Sequence, residues 1–220
     1  MADWVNEPGK PVRIWEGDCL EFMREMEDGC VDAVVTDPPY GVGLRYAEGT
    51  PPDTEYPVSA LGECLRVSAG PVLAFGAAPT RCLAAAISLN PERMMVWTPS
   101  FSLAKTSSNG MFWRWHPLWA WRLPTKQSGM WADVLTDPCD GHNEWNHPAT
   151  KPESLITRIV MATEGTILDP FLGSGTTAVV CDRLGRRWMG AEINPEYVQM
   201  ATERIMRARE QLRLPLEVGT

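Results

Sequence analysis

The run Asp37-Pro38-Pro39-Tyr40 brings together groups that accept hydrogen bonds. Proline has no backbone N–H, so the carbonyl groups beside the two prolines remain available as acceptors. The Asp37 carboxylate adds acceptor capacity, and the Tyr40 ring offers an aromatic face for a base to stack on. We interpret these four residues as a site for the exocyclic amino group of a nucleobase, because both N–H bonds of such a group need an acceptor.

A glycine-rich turn, Asp169-Pro170-Phe171-Leu172-Gly173-Ser174-Gly175-Thr176-Thr177, lies between a predicted strand and a predicted helix. Glycines permit a tight turn close to a ligand, and the helix that follows presents free N–H groups. Glu192 comes 19 residues after Gly173, at the end of the next predicted strand. An acid in that place binds ribose in nucleotide-type sites, so the pattern predicts a bound nucleoside. Nucleoside triphosphate binding is disfavoured because Gly175 is followed by Thr176 and not by the lysine of a P-loop.

Alternating strand and helix patterns must position these two motifs. The β-branched run 31–36 predicts a buried parallel strand that ends at Asp37. Before it, 12–15 predicts a strand, and Asp18 predicts the cap of a helix that closes at Gly29. Further helices are predicted at 59–67, 80–89, 153–163, 176–184 and 195–212, and further strands at 71–75, 93–97, 117–122, 166–168 and 188–191. This alternation predicts an α/β fold with a mostly parallel sheet, helices on both faces, and ligands at the carboxyl ends of the strands.

Length and composition narrow the range of functions. A chain of 220 residues accommodates one α/β domain with a small insertion. The hydrophobic share of 44% and the charged share of 22% exclude a disordered or coiled-coil chain. No apolar run approaches the roughly 18 residues of a membrane span, and the six cysteines form no CxxC pair. We therefore expect reduced cysteines, no metal, no membrane partner and a cytoplasmic location.

The net charge of −8 argues against binding of nucleic acid over the whole surface. The segment 93–126 is different, because it carries cations and aromatic residues and no acid. Local charge and stacking decide contact with a polyanion, so this segment is our candidate nucleic-acid face. Its expected phosphate contacts are Arg114, Arg122 and Lys126. Burial in the core is the alternative for each of its tryptophans.

Five separated elements together resemble the amino-group DNA methyltransferases of the permuted β class, in which the catalytic motif precedes the cofactor motif. Residues 37–40 resemble the catalytic motif, 169–177 the S-adenosylmethionine loop, and Glu192 the ribose acid. Residues 147–152, His147-Pro148-Ala149-Thr150-Lys151-Pro152, resemble the family's His-Pro-Thr-Gln-Lys-Pro element, with Ala149-Thr150 in place of Thr-Gln. Gly17-Asp18 resembles the acid near the cofactor adenine.

The resemblance implies the Rossmann-like fold of S-adenosylmethionine-dependent methyltransferases over residues 1–220, with a small target-recognition region at about 99–146. It implies S-adenosylmethionine as cofactor, with Gly173 and Gly175 against its methionine part and Thr150 with Lys151 near its carboxylate end. The cofactor-binding residues implied are Asp18, Cys19, Thr150, Lys151, Asp169, Phe171, Gly173, Ser174, Gly175, Thr176, Glu192 and Ile193.

The resemblance also implies a reaction and a partner. The catalytic residues would be Asp37, Pro38, Pro39 and Tyr40, and the substrate would be DNA from which one base is flipped. Aspartate at the first catalytic position is linked in the family more often to adenine N6 than to cytosine N4, so adenine is favoured. Cytosine N4, an RNA substrate and a non-catalytic subunit that needs a partner remain alternatives. The short recognition region is compatible with a homodimer that shares the duplex.

Overall fold

The computed structural model describes residues 4–7, 10–41, 43, 54–77, 80–99, 115–123, 132–137 and 150–213. Six helices and eight strands lie in these ranges. The strands are β1 (Trp15–Glu16), β2 (Ala33–Thr36), β3 (Val72–Phe75), β4 (Arg93–Pro99), β5 (His116–Trp121), β6 (Val134–Asp137), β7 (Ile167–Asp169) and β8 (Trp188–Glu192). The helices are α1 (Cys19–Arg24), α2 (Val58–Val67), α3 (Thr80–Ile87), α4 (Glu153–Met161), α5 (Thr176–Arg183) and α6 (Pro195–Arg213).

All described strands form one sheet in the order β1-β8-β7-β2-β3-β5-β4-β6. Strands β1, β8, β7, β2 and β3 are parallel to one another, and β6 is parallel to β4. Strand β5 is antiparallel to both β3 and β4, so it is the one reversed strand among those described. The carboxyl ends of the other strands therefore meet at one edge of the sheet, where the amino end of β5 also lies. The prediction of an α/β fold with a mostly parallel sheet is confirmed.

The central strands are buried because their residues are apolar on both faces. Every residue of β2 and β3 is buried, as expected for parallel strands covered on both sides. The apolar face predicted for the helix at 153–163 is buried at Leu155, Ile156, Ile159 and Val160 of α4. Helix α1 contacts α2, while α5 contacts both α4 and α6. Among the described residues, no helix has the length and apolar character that crossing a bilayer requires.

Three sequence expectations near the amino terminus and within the insertion are corrected. The first strand is Trp15–Glu16, not 12–15, because only these two residues pair with β8 at the sheet edge. Asp18 caps α1 as predicted, accepting a hydrogen bond from the Leu20 N–H at 2.8 Å. Helix α1 ends at Arg24, however, so Gly29 lies beyond its cap.

The region at about 99–146, predicted as a small target-recognition region, contributes two strands to the sheet. Strand β5 lies inside the sheet between β3 and β4, and β6 extends the sheet beyond β4. No strand was predicted between 117–122 and 166–168, so β6 was missed. Its four residues alternate between exposed and buried positions, which is a weak signal over so short a length. The other residues of 99–146 lie almost entirely outside the described ranges, and the target-recognition role remains a prediction.

Candidate active site

A cleft of about 1050 Å³ opens at the carboxyl edge of the sheet. It lies over the ends of β2, β7 and β8, which are neighbours in the sheet although far apart in the chain. All the predicted catalytic and cofactor-binding residues except Gly175 line it. These lining residues are Asp18, Cys19, Asp37, Pro38, Pro39, Tyr40, Thr150, Lys151, Asp169, Phe171, Gly173, Ser174, Thr176, Glu192 and Ile193.

The glycine-rich turn after β7 forms one half of the cleft. Gly173 has φ +51°, in the left-handed region that favours glycine, and its N–H donates to Glu192 Oε2 at 2.8 Å. Glu192 Oε1 accepts the Asn194 N–H at 2.9 Å. Burial raises the pKa of Glu192, and these backbone donors oppose the rise. The carboxylate is thus held at the mouth of the turn and retains acceptor capacity for two hydroxyl groups.

Other groups in this half fit a nucleoside with a charged tail. The Asn194 Nδ2 atom is buried and has no hydrogen-bond partner among the described residues, so it offers a donor beside Glu192. Phe171 and Ile193 supply apolar surface, and Ile193 is 70% exposed. The amino terminus of α5 has no side-chain cap, which leaves backbone N–H groups for an anion. This donor set matches the ribose, adenine and carboxylate of S-adenosylmethionine.

Gly175 is not among the residues that line the cleft, and its contact with the cofactor stays a prediction. It caps α5 with φ +79°, and a Cβ atom added there would lie 3.1 Å from Ala201 Cβ of α6. The absence of a side chain at Gly175 therefore permits α6 to pack closely against the start of α5. Gly173 serves the turn itself, so the two glycines of the motif have different physical roles.

A hydrogen-bond network behind the turn holds it from the other side. The buried Arg204 guanidinium donates to the Ser174 carbonyl oxygen at 3.2 Å, to Ser174 Oγ at 3.1 Å and to Thr176 Oγ1 at 2.9 Å. It also pairs with Glu153 at 2.8 Å. Thr150 Oγ1 lies 3.3 Å from Ser174 Oγ, so Thr150 contacts the glycine-rich turn. Arg204 was missed because a basic residue on a long helix gives no sequence signal of its target.

The catalytic half of the cleft is formed by the residues after β2. The Tyr40 hydroxyl donates to Asp37 Oδ1. The Lys151 ammonium pairs with Asp37 Oδ2 at 2.5 Å and donates to the Tyr40 hydroxyl oxygen at 2.9 Å. Tyr40 is 6% exposed, and its hydroxyl group fixes the orientation of Asp37. A base can stack on the Tyr40 ring only when the ring becomes more accessible.

The Lys151 side chain lies in this catalytic half, and its position near the cofactor carboxylate stays a prediction. Its side chain is 6% exposed. A buried ammonium needs a counter-charge, and Asp37 supplies it. The rings of Phe75 and Tyr40 lie 5.1 Å and 5.4 Å from Lys151 Nζ, close enough for cation–π attraction.

Asp169 joins the two halves. It ends β7 beside the end of β2 and is fully buried, and burial raises its pKa to about 6. Hydrogen bonds from Thr177, Thr36 and the Phe171 N–H oppose this rise. At neutral pH Asp169 is a carboxylate surrounded by donors, placed between the cofactor turn and Asp37.

Three aromatic side chains behind Tyr40 were not predicted as part of the site. Phe75 ends β3, and the rings of Trp97 and His116 stack at 5.1 Å on the adjacent strands β4 and β5. Burial lowers the pKa of His116 to about 4, and the positive charge of Lys151 adds to this effect. His116 is therefore neutral at physiological pH. The sequence did contain one signal for Phe75. It is the last residue of a predicted strand, and the carboxyl ends of parallel strands are where the site was expected.

Of the three predicted phosphate contacts, only Arg122 lies among the described residues. Arg114 and Lys126 lie outside the described residues, as does His147. Arg122 follows the carboxyl end of the reversed strand β5, so it lies at the opposite edge of the sheet from the cleft. Its guanidinium donates to the Ser68 carbonyl oxygen. Trp97, Trp119 and Trp121 of the basic aromatic segment are buried, which is the alternative considered for them.

Comparison with known proteins identifies similar DNA methyltransferases. Residues 111–203 match the family model of the N6/N4 DNA methylases. The Type II methyltransferase M.HpaI of Haemophilus parainfluenzae is 29% identical over 235 residues, which cover 88% of this chain and 74% of that protein. These matches confirm the resemblance to amino-group DNA methyltransferases and support the predicted cofactor.

Solved structures confirm the Rossmann-like methyltransferase fold. The cytosine-N4-specific PvuII DNA methyltransferase superposes with a TM-score of 0.66 at 17% identity, covering 94% of this chain and 95% of that one. A complex of M1.HpyAVI with S-adenosylmethionine superposes with a TM-score of 0.60 at 22% identity, covering 87% and 98%. The fold is therefore shared by enzymes of this type at low sequence identity.

Proposed function

We propose that this protein is a site-specific DNA methyltransferase that transfers a methyl group from S-adenosylmethionine to the N6 amino group of a flipped adenine. One observation carries the proposal. The residues after β2, with Asp37, and the turn after β7, with Gly173, face each other across one cleft because their strands are parallel neighbours. An acceptor-rich site and a nucleoside site thus share one cleft, as a direct group transfer between them requires.

The cofactor half of the cleft supports S-adenosylmethionine. In this proposal Glu192 accepts the ribose hydroxyls, Asn194 adds a donor, and Phe171 with Ile193 covers the adenine. Asp18 lies at the cleft wall and would accept from the adenine amino group, with Cys19 beside it. The amino terminus of α5, together with Ser174, Thr176 and Thr150, would hold the carboxylate.

The catalytic residues position the amino group. Asp37 accepts one N–H bond of the target amino group and the Pro38 carbonyl oxygen accepts the other, which directs the nitrogen lone pair towards the cofactor half. S-adenosylmethionine, held by the cofactor half of the cleft, would supply an electrophilic methyl group to the amino nitrogen and leave as a neutral thioether, and the proton displaced from the nitrogen would pass to water. Asp37 acts as an acceptor and need not be a strong base, because the nitrogen loses its proton readily after it carries the methyl group.

Adenine is favoured because aspartate occupies the first catalytic position, and cytosine N4 is the alternative. Adenine N6 and cytosine N4 are chemically similar donors, and one structural neighbour is a cytosine-N4-specific enzyme. DNA is the proposed partner, and Arg114 and Lys126 are the proposed phosphate contacts. Arg122 is not included because it lies at the opposite edge of the sheet.

The decisive experiment uses methyl-labelled S-adenosylmethionine and unmethylated DNA. After incubation, the DNA is digested to nucleosides and the labelled nucleoside is identified. N6-methyladenine is the expected product, and N4-methylcytosine would overturn the choice of base while keeping the reaction. Absence of label in DNA, with the cofactor bound, would favour an RNA substrate or a missing partner subunit.

The Asp37→Ala variant is the matched control for this experiment. It should abolish transfer and leave S-adenosylmethionine binding nearly intact, because Asp37 lies in the catalytic half of the cleft. Near wild-type turnover by this variant would remove Asp37 from the mechanism.

A further inference from the structure

The Lys151 ammonium and the Asp37 carboxylate lie side by side on the cleft wall. Their closest atoms, Lys151 Nζ and Asp37 Oδ2, are 2.5 Å apart, and both residues line the cleft. A fixed hydrogen-bond donor therefore stands next to a fixed acceptor. The proposed function uses the acceptor alone and assigns nothing to Lys151.

Both groups have capacity for a further hydrogen bond. An ammonium has three N–H bonds, and among the described residues Lys151 directs two of them, to Asp37 and to the Tyr40 hydroxyl oxygen. A carboxylate offers about four lone-pair positions, and in the part of the chain that the structure describes, Lys151 and Tyr40 occupy two of those on Asp37. The pair can thus bind a ligand that presents a donor next to an acceptor.

The ammonium is held in place by its surroundings. Its side chain is 6% exposed, and the rings of Phe75 and Tyr40 lie near it. A hydrogen bond from a charged group in such a poorly hydrated site is stronger than the same bond in water. The position of Lys151 is therefore suited to discrimination between ligands and does more than neutralise Asp37.

We propose that Lys151 is a specificity-determining residue that donates a hydrogen bond to the ring nitrogen beside the target amino group. This inference rests on the proposed function. Adenine presents the N6 amino group next to the acceptor N1, and cytosine presents the N4 amino group next to the acceptor N3. Guanine and thymine present the reverse order, with a carbonyl oxygen next to a ring N–H. The pair formed by Asp37 and Lys151 can therefore hydrogen-bond to this edge of adenine or cytosine. At the corresponding edge of guanine or thymine, acceptor would face acceptor and donor would face donor.

The test replaces one atom of the target base. Once the methylated sequence has been mapped, oligonucleotide duplexes are made with adenine, 1-deazaadenine or 7-deazaadenine at the target position. Loss of N1 removes the acceptor for Lys151, whereas loss of N7 leaves the amino edge unchanged and serves as the matched control. Were the target cytosine, 3-deazacytosine would take the place of 1-deazaadenine.

We expect kcat/KM for the 1-deaza duplex to fall by about 10- to 100-fold, as for a lost hydrogen bond to a charged group, and the 7-deaza duplex to react at nearly the normal rate. Base pairing of 1-deazaadenine is weaker, which eases base flipping, so a fall in rate cannot come from flipping. Equal rates for adenine and 1-deazaadenine would overturn the proposal.

The Lys151→Met variant completes the test. It keeps an unbranched side chain of similar length without a donor, so it should react equally slowly with adenine and 1-deazaadenine. Retained discrimination by the variant would show that another group reads N1 and would also overturn the proposal. If the wild-type protein methylates no DNA at all, the proposed function fails, and that result is distinct from equal rates on the two bases.

Discussion

Thr36 Oγ1 donates a hydrogen bond to Asp169 Oδ1 at 2.8 Å, which joins the last residue of β2 to the last residue of β7. Thr36 immediately precedes Asp37, and Asp169 begins the cofactor turn. The bond is buried, and it links the two halves of the cleft directly. The relative position of the methyl acceptor and the methyl donor therefore depends on this contact.

We expect Thr36→Val to lower kcat and the free energy of unfolding. Valine has the shape of threonine without the hydroxyl, so it leaves the buried Asp169 carboxylate with one donor fewer, at a cost of about 1–3 kcal/mol. Urea denaturation and single-turnover methylation measure the two effects. Thr36→Ser keeps the hydroxyl and should retain most of the activity. A Thr36→Val variant as active and as stable as the wild type would contradict the linking role.

The raised pKa of Asp169 predicts a pH dependence of stability. Burial raises the pKa in the folded state to about 6 from the ordinary 3.8, so the folded protein takes up a proton more readily than the unfolded chain. The contribution of this group to the free energy of unfolding therefore increases as the pH falls through 6. Relative to Asp169→Asn, the wild type should gain about 1–1.5 kcal/mol between pH 7.5 and pH 5. Urea denaturation of both proteins at both pH values measures this difference, and a constant difference would contradict it.

The sequence predicted most elements that surround the site, because their signals are local. The β-branched run before Asp37 and the apolar face of α4 are examples of such signals. The reversed direction of β5 could not be predicted, since strand direction depends on pairing with β3 and β4 and not on composition. The pairing of Lys151 with Asp37 was missed for a similar reason. Residues 114 positions apart in the chain meet only through the packing of the whole sheet.

The packing role of Gly175 can be tested by comparing substitutions at two glycines with positive φ. Gly175 and Gly185 both have positive φ, +79° and +66°, but an added Cβ meets Ala201 only at Gly175. Gly185→Ala should cost about 1 kcal/mol of backbone strain. Gly175→Ala should cost at least about 1 kcal/mol more, because the new methyl group crowds α6. Thermal unfolding of both variants tests this, and equal destabilisation would show that the contact with α6 is unimportant.

Arg204 should support cofactor binding as well as stability. Arg204→Met removes its bonds to Ser174 and Thr176 and leaves Glu153 with one partner fewer. We expect a loss of about 3 kcal/mol in the free energy of unfolding and a roughly tenfold rise in the Kd of S-adenosylmethionine, measured by calorimetry.

The matched control for Arg204 is Arg209→Met. Arg209 is similarly buried on the same helix, and its Nε lies 2.5 Å from Asp182 Oδ2. Neither Arg209 nor Asp182 lines the cleft. This variant should be destabilised to a similar extent while its affinity for S-adenosylmethionine stays unchanged in the folded protein. Equal loss of affinity in both variants would mean that Arg204 acts through general stability alone.

The proposed phosphate contacts predict a change in the salt dependence of DNA binding. Each phosphate contact contributes about 0.9 to the slope of log K against log salt concentration. Replacing Arg114 and Lys126 by glutamine should therefore lower the magnitude of the slope by about 1.8 and weaken binding to all duplexes.

Arg122→Gln is the matched control, because the structure places Arg122 at the sheet edge away from the cleft, with its guanidinium on Ser68. It removes one positive charge away from the cleft and should leave the slope unchanged. Binding titrations from low to high salt measure all three slopes. If the double variant keeps the wild-type slope, the DNA face lies elsewhere, and if Arg122→Gln lowers it, the duplex extends to the opposite edge of the sheet.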